Sequence, residues 1–243
     1  MWWALIKSSA LVIFLACNNK SSSSLNLYLA GSLLPLKDAL LKASSNPLNL
    51  NFQSSSVIAQ QIVAGAPCDA AIVADEAFKE YLIKKEAVLD QGRIVAYNAL
   101  IVASQKKPAS FKNAAEFFTE LGERKLIIAD PAFVPLGSYS KEALINLGVY
   151  RRLQKNLVMA HSAQNAAMLL NSGIAPYAIL YASDVSENIH RVLAIDLKLH
   201  KPIVYPFLRC KIANKDKAEA IYALFNSPVV QQALKDKGFR LQL

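Results

Sequence analysis

The sequence predicts an α/β protein of two lobes, the second inserted into the first, and three observations predict it. Short apolar runs alternate with helical segments from Leu25 to Ile94. The alternation resumes with a different set of elements from Phe111 to Ile195. Two longer apolar runs, Arg93 to Ser104 and residues 203–211, stand between and after these stretches. Such alternation makes βαβ units on a parallel sheet, and a run longer than one ordinary strand can leave one lobe and enter another. Two crossings of this kind put lobe I at 25–96 and 204–243 and lobe II at 97–203.

Composition agrees with a folded chain of that size. Over 243 residues, 53% are hydrophobic and 19% charged, which is globular and not disordered. The net charge of +9 comes from Lys and Arg scattered along the chain. No nucleic-acid motif accompanies it, so the charge reads as a solvated basic surface whose field draws in small anions and not as a nucleic-acid groove.

The elements follow in order. Residues 1–16 carry one side-chain cation, Lys7, and an apolar stretch from Ala10 to Ala16 that is too short to cross a bilayer, so they read as a signal peptide. Phe14-Leu15-Ala16-Cys17 resembles the lipobox of bacterial lipoproteins, which makes Cys17 the lipidated residue and 17–24 a serine-rich tether. An ordinary cleaved signal with a frayed terminus is the alternative. Lobe I then reads as strand 26–30, helix 34–44 with Pro35 in its first turn, strand 48–53, helix 56–64, a turn at Gly65-Ala66-Pro67, strand 69–74 and helix 76–86.

Lobe II reads as helix 111–121, strand 125–129 and the loop 130–137. A helix capped by Ser138 and stopped at Gly148 comes next, then helix 163–171, strand 177–180, the stretch Tyr181-Ala182-Ser183-Asp184 and strand 192–195. After the run 203–211 two helices close the chain, the second with Ser227 as cap and Pro228 at its first position.

Chemistry concentrates where strands hand over to helices. Ser32 follows the first strand and Ser54-Ser55-Ser56 follow the second. A hydroxyl placed there sits beside N–H groups that the helix leaves unpaired and beside the positive end of its dipole, a neutral socket for an anion. The plain alternative is helix capping. Tyr181, at a strand end, reads equally as a core aromatic or as a ligand. His161 stands two residues before Ala163, and His190 and His200 have no evident partner. Cys68 and Cys210 read either as a disulfide or as two inert thiols.

From Leu25 onward the chain resembles the molybdate-binding proteins of bacterial ABC importers, a branch of the two-lobed periplasmic binding proteins. The resemblance rests on Ala30-Gly31-Ser32-Leu33, Ser54-Ser55-Ser56 leading into Ala59-Gln60-Gln61-Ile62, Ala64-Gly65-Ala66-Pro67-Cys68-Asp69, Ala129-Asp130-Pro131, Val134-Pro135-Leu136-Gly137, Tyr181-Ala182-Ser183-Asp184, Tyr205-Pro206 and Lys237-Gly238-Phe239. It implies mixed sheets flanked by helices, two hinge crossings, and an oxyanion held in the cleft by neutral donors. These would be the hydroxyls and N–H groups of Ser32 and Ser55, the backbone N–H of Leu136 and of Ala163, and the phenol of Tyr181. Leu136 stands where the family commonly has alanine, and Ala163 where it often has valine.

The resemblance further implies molybdate or tungstate as ligand, and the permease and ATPase subunits of an importer as partners. It implies an extracytoplasmic and membrane-anchored monomer, with no cofactor, catalysis or nucleic-acid binding. Rival readings are a sulfate or phosphate receptor, an exported hydrolase using Ser32 or Ser55 as nucleophile, and a surface lipoprotein acting through its basic face. Against the hydrolase, no G-x-S-x-G elbow is present.

Overall fold

A computed structural model describes residues 24–89, 92–107 and 111–242. The signal segment, Cys17 and the tether up to residue 23 lie outside the described residues. Strand β1 (Leu25–Ala30) lies inside the first sheet, and its alternation places Leu25, Leu27 and Leu29 in the core. It pairs in parallel with β2 (Leu48–Gln53) on one side and β3 (Ala70–Ile72) on the other. Helices α1 (Lys37–Ala43), α2 (Ser55–Val63) and α3 (Glu76–Lys84) connect or follow these strands.

The run from Arg93 to Ser104 divides at Ala99. Strand β4 (Arg93–Asn98) completes the first sheet and β5 (Leu100–Ser104) belongs to the second. The second sheet is built around β6 (Leu126–Ala129), with β7 (Leu157–Ala160) and β8 (Tyr177–Tyr181) parallel to it and β9 (His190–Ala194) at the far edge beyond β5. Its helices are α4 (Ala114–Leu121), α5 (Pro135–Asn146), the single turn α6 (Tyr150–Leu153) and α7 (Ala163–Asn171). Strand β10 (Ile203–Arg209) returns the chain to the first sheet, α8 (Lys215–Phe225) packs behind it, and α9 (Pro228–Asp236) packs on α1 and α8.

Both sheets share one plan: three parallel strands, then an antiparallel crossing strand, then an edge strand. The two-lobed architecture and the mixed sheets are therefore as the sequence predicts. Lobe II is filled by aromatics, with Phe117 meeting Phe111, Phe118 and Tyr177 edge-on at 5.1, 5.0 and 4.9 Å. In lobe I a second apolar cluster of Ile58, Ala59, Ile62, Leu82 and Leu208 surrounds Cys68 and Cys210. These two cysteines form a disulfide with Cα atoms 5.8 Å apart, pinning the start of β3 to the end of β10.

Local boundaries differ in three places. The segment Gly31–Leu36 is a 3-10 helix, and α1 begins only at Lys37, after Pro35, which has no N–H to give to an α-helical ladder. Helix α5 starts at Pro135, not at Ser138. Proline suits the first helical position, and Ser138 lies a turn inside with its hydroxyl donating to the Pro135 carbonyl at 2.9 Å. Strand β7 and the turn α6 have no counterpart in the sequence reading. Leu157 to Met159 are partly or fully exposed at a sheet edge, so four residues show no alternation to read.

Candidate functional site

The carboxyl ends of the six parallel strands converge between the lobes. From lobe I they bring Ala30, Gly31 and Ser32 after β1, Ser54 and Ser55 after β2, and Ala74 after β3. From lobe II they bring Val134 and Pro135 after β6, Ser162 and Ala163 after β7, and Tyr181 at the end of β8. With Gln164 these residues line a cavity of about 30 Å3. That exceeds the roughly 10–15 Å3 that admits a water molecule and falls far below the roughly 300 Å3 at which pockets for organic ligands begin. A small inorganic ion is the size class it suits.

No lining residue is charged. The first residues of α2, α5 and α7, namely Ser55, Pro135 and Ala163, all line it, so three helix dipoles present their positive ends to one spot. A larger groove of about 750 Å3 also runs between the lobes, but Asp75, Glu76, Glu80 and Glu142 line it with Lys201. Its carboxylates repel a dianion, so of the two the small neutral cavity is the one suited to an anion.

Local sequence explains why the donors are free. Ser54 is the cap of α2, its hydroxyl accepting from Val57 N–H at 3.3 Å, which relieves Ser55 of that duty. The Ser55 oxygen instead accepts from Ala74 N–H at 3.0 Å, and a backbone N–H can only donate. The one hydroxyl hydrogen of Ser55 is thereby left for another acceptor. Ser162 caps α7 through Asn165 N–H at 3.0 Å, leaving Ala163 N–H in the unpaired first turn. Leu136 is the second residue of α5, so its N–H lies beyond the intrahelical acceptors too.

Tyr181 is 2% exposed, and its hydroxyl has no hydrogen-bond partner among the described residues. Burial, then the neighbouring phenols of Tyr205 and Tyr139, push its ionisation well above the ordinary value, so the group stays a donor at any physiological pH. An unpaired buried hydroxyl costs free energy and is a mark of function when it faces a cavity.

Ser32, Ser55, Ala163 and Tyr181 therefore meet in one cavity. Leu136 does not line it: the side chain is fully buried in the main core, while Val134 and Pro135 form the wall. The leucine for alanine exchange consequently adds bulk to the core and not to the cavity. Gly137 next to it carries no side chain because a Cβ there would collide with the Ala129 carbonyl, and this close approach seats the start of α5 on the end of β6. Across the cleft, the Gln164 side-chain amide packs into the space that a Cβ on Gly31 would take. His161 is exposed and outside the cavity lining, and the His200 ring meets the Lys201 carbonyl through Nδ1 at 2.8 Å.

A polar cluster lies directly behind the cavity. Ser32 Oγ and Tyr205 Oη are 3.0 Å apart, and Asn98 Nδ2 donates to Tyr205 Oη at 3.2 Å and to Ser183 Oγ at 2.9 Å. The sequence signal for it was a lone asparagine inside the apolar run RIVAYNALIVAS. Neither serine is armed for nucleophilic attack: the partner of Ser32 is a phenol, that of Ser55 an amide, and no histidine, lysine or carboxylate lines the cavity.

Residues 26–240 match the family of bacterial extracellular solute-binding proteins. The chain is similar to the molybdate-binding protein ModA of Escherichia coli K12, 32% identical over 199 residues that cover 79% of this chain and 77% of that one. It is 27% identical to ModA of Haemophilus influenzae over 245 residues, 96% of each chain. Among solved structures, the periplasmic molybdate-binding protein of Azotobacter vinelandii shares the fold with a TM-score of 0.78 at 23% identity, over 90% of this chain and 100% of that one.

Proposed function

The chain belongs to the family of bacterial extracellular solute-binding proteins, and on that premise we propose that it captures molybdate, or tungstate, between its lobes and delivers it to an ABC permease. The observation that carries the proposal is the buried Tyr181 hydroxyl, unpartnered among the described residues and lining a small uncharged cavity with Ser32 and Ser55. A tetrahedral dianion supplies acceptors to all three hydroxyls at once. Charge-assisted bonds of this kind are stronger than neutral ones, and donors divided between lobes draw both toward one ligand, which shifts an open–closed equilibrium to the closed side.

The proposal involves no catalytic step and no cofactor. It places the protein outside the cytoplasmic membrane as a monomer, anchored through acylated Cys17 and in contact with permease and ATPase subunits. Mass spectrometry of the mature amino terminus decides the anchor: a diacylated Cys17 supports it, and an unmodified end removes it.

Calorimetric titration with molybdate, tungstate, sulfate and phosphate tests the ligand. Both Trp2 and Trp3 fall in the signal segment, so tryptophan fluorescence is not the assay. Saturable 1:1 uptake of molybdate and tungstate, with sulfate at least tenfold weaker, is expected. Tighter sulfate binding would reassign the ligand, and heatless titrations with all four would end the reading.

A further inference from the structure

We propose that Asn98 and Tyr205, neither of which lines the cavity, fix the sense in which the Ser32 hydroxyl faces it and so tune the site to oxyanions that carry no proton. The proposal rests on the functional reading above and extends it to two residues behind the ligand shell.

Asn98 is the last residue of β4, at the crossing between the lobes, and is 2% exposed. Its Oδ1 accepts from Ala99 N–H at 2.9 Å. That contact settles which end of the amide is which, because a flipped side chain would set its NH2 against an N–H that can only donate. With the oxygen so placed, both hydrogens of Nδ2 point the other way, one to Ser183 Oγ at 2.9 Å and one to Tyr205 Oη at 3.2 Å.

The Tyr205 oxygen is thus an acceptor, and its own hydrogen is free for Ser32 Oγ, 3.0 Å away. Tyr205 is fully buried, and burial raises its ionisation above the ordinary value, so that hydrogen is always present. Pairing that buried hydrogen makes Ser32 the acceptor from Tyr205, which leaves the Ser32 hydrogen as the group turned toward the cavity. The sequence Asn98 → Tyr205 → Ser32 runs in one direction because it begins at a donor-only backbone N–H. Ser55 is held in the same sense by Ala74 N–H. Ser32 and Ser55 therefore each turn a hydrogen toward the cavity, and the O–H of a protonated oxyanion such as hydrogen phosphate meets donors at both where it needs an acceptor. The other hydrogen of Asn98 holds Ser183, two residues after Tyr181, so one amide ties the lobe I relay to the chain that follows β8.

The test is a pair of double-mutant cycles against Ser32→Ala, read by calorimetric titration with molybdate and inorganic phosphate at pH 6 and pH 8. Tyr205→Phe removes the donor to Ser32. Asn98→Asp is the same size and reverses the chain, since a carboxylate accepts from Tyr205, which must then accept from Ser32 and turn the serine hydrogen away from the cavity. Each is expected to weaken molybdate about tenfold on its own and to narrow the preference over phosphate, most at pH 6. In the Ser32→Ala background each is expected to cost less than twofold, because the effect travels through that hydroxyl.

Losses that persist undiminished in the Ser32→Ala background overturn the relay, since they would reflect charge repulsion or general loosening. So does molybdate affinity within twofold of wild type in Tyr205→Phe. A thermal melt of each ligand-free variant separates unfolding from loss of binding. Wild-type protein that takes up no molybdate overturns the functional reading together with the relay, whereas normal wild-type binding with additive losses overturns the relay alone.

Discussion

At the scale of single residues, the site is built by leaving the right hydrogens unused. Tyr181 shows this most directly, for its hydroxyl is buried against no partner. Removing it should affect the free and bound protein in opposite directions. Tyr181→Phe is expected to leave the ligand-free melting temperature unchanged or slightly higher, because an unsatisfied buried hydroxyl is lost, while molybdate affinity falls by about 1–3 kcal/mol. Melts with and without ligand check both halves, and an affinity unchanged within a factor of two would take Tyr181 out of the site. The serines were legible in the sequence because strand-to-helix turns are where unpaired N–H groups collect. Tyr205 and Asn98 were not, because a polar residue inside an apolar run says that it has a partner without saying which. That partner, Ser32, lies 173 positions from Tyr205.

At the scale of elements, capping and ligand binding are divided between neighbouring residues. Both Ser54 and Ser55 line the cavity, but the Ser54 hydroxyl is taken up by the cap of α2 and by Ser56 Oγ at 2.9 Å, while Ser55 keeps its hydrogen for another acceptor. Ser54→Ala is therefore expected to lower stability by about 1 kcal/mol with molybdate affinity nearly intact. Ser55→Ala should instead weaken binding by about 1–3 kcal/mol, since it removes a donor to the anion and strands Ala74 N–H. Chemical denaturation paired with titration distinguishes them, and the opposite pattern would exchange their roles. The long elements were legible for a related reason: β1, α4 and α9 bury one face each, and burial on one face leaves a period. Strand β7 and the 3-10 turn after β1 escaped because a four-residue edge strand and a proline-bearing turn leave none. The start of α5 was misplaced because Ser138 read as its cap and Pro135, which takes the first helical position, read as part of the loop.

At the scale of the whole molecule, the lobes meet over a partly buried acid whose titration should register in global stability. Asp184 follows Tyr181 by three residues, accepts from Tyr181 N–H at 3.0 Å, and borders a hollow of about 300 Å3 shared with Ser32, Gln164 and Lys237. Burial pushes its carboxyl up to about 7 from the ordinary 3.8, and the Tyr181 N–H pulls only partly the other way. The folded protein therefore keeps this proton until about pH 7, while the unfolded chain releases it near pH 3.8. Between those values the folded state binds more protons, so the contribution of Asp184 to stability is full at low pH, declines as pH rises through that window, and levels off above it. Asp184→Asn keeps an acceptor for Tyr181 N–H and carries no charge at any pH, so its curve should lack that decline. The variant is expected to gain on wild type steadily from pH 4 to pH 7 and to hold a constant advantage above. Denaturation midpoints of both proteins across pH 4 to 8 provide the check, and curves that run parallel throughout would mean that Asp184 titrates as an ordinary surface acid.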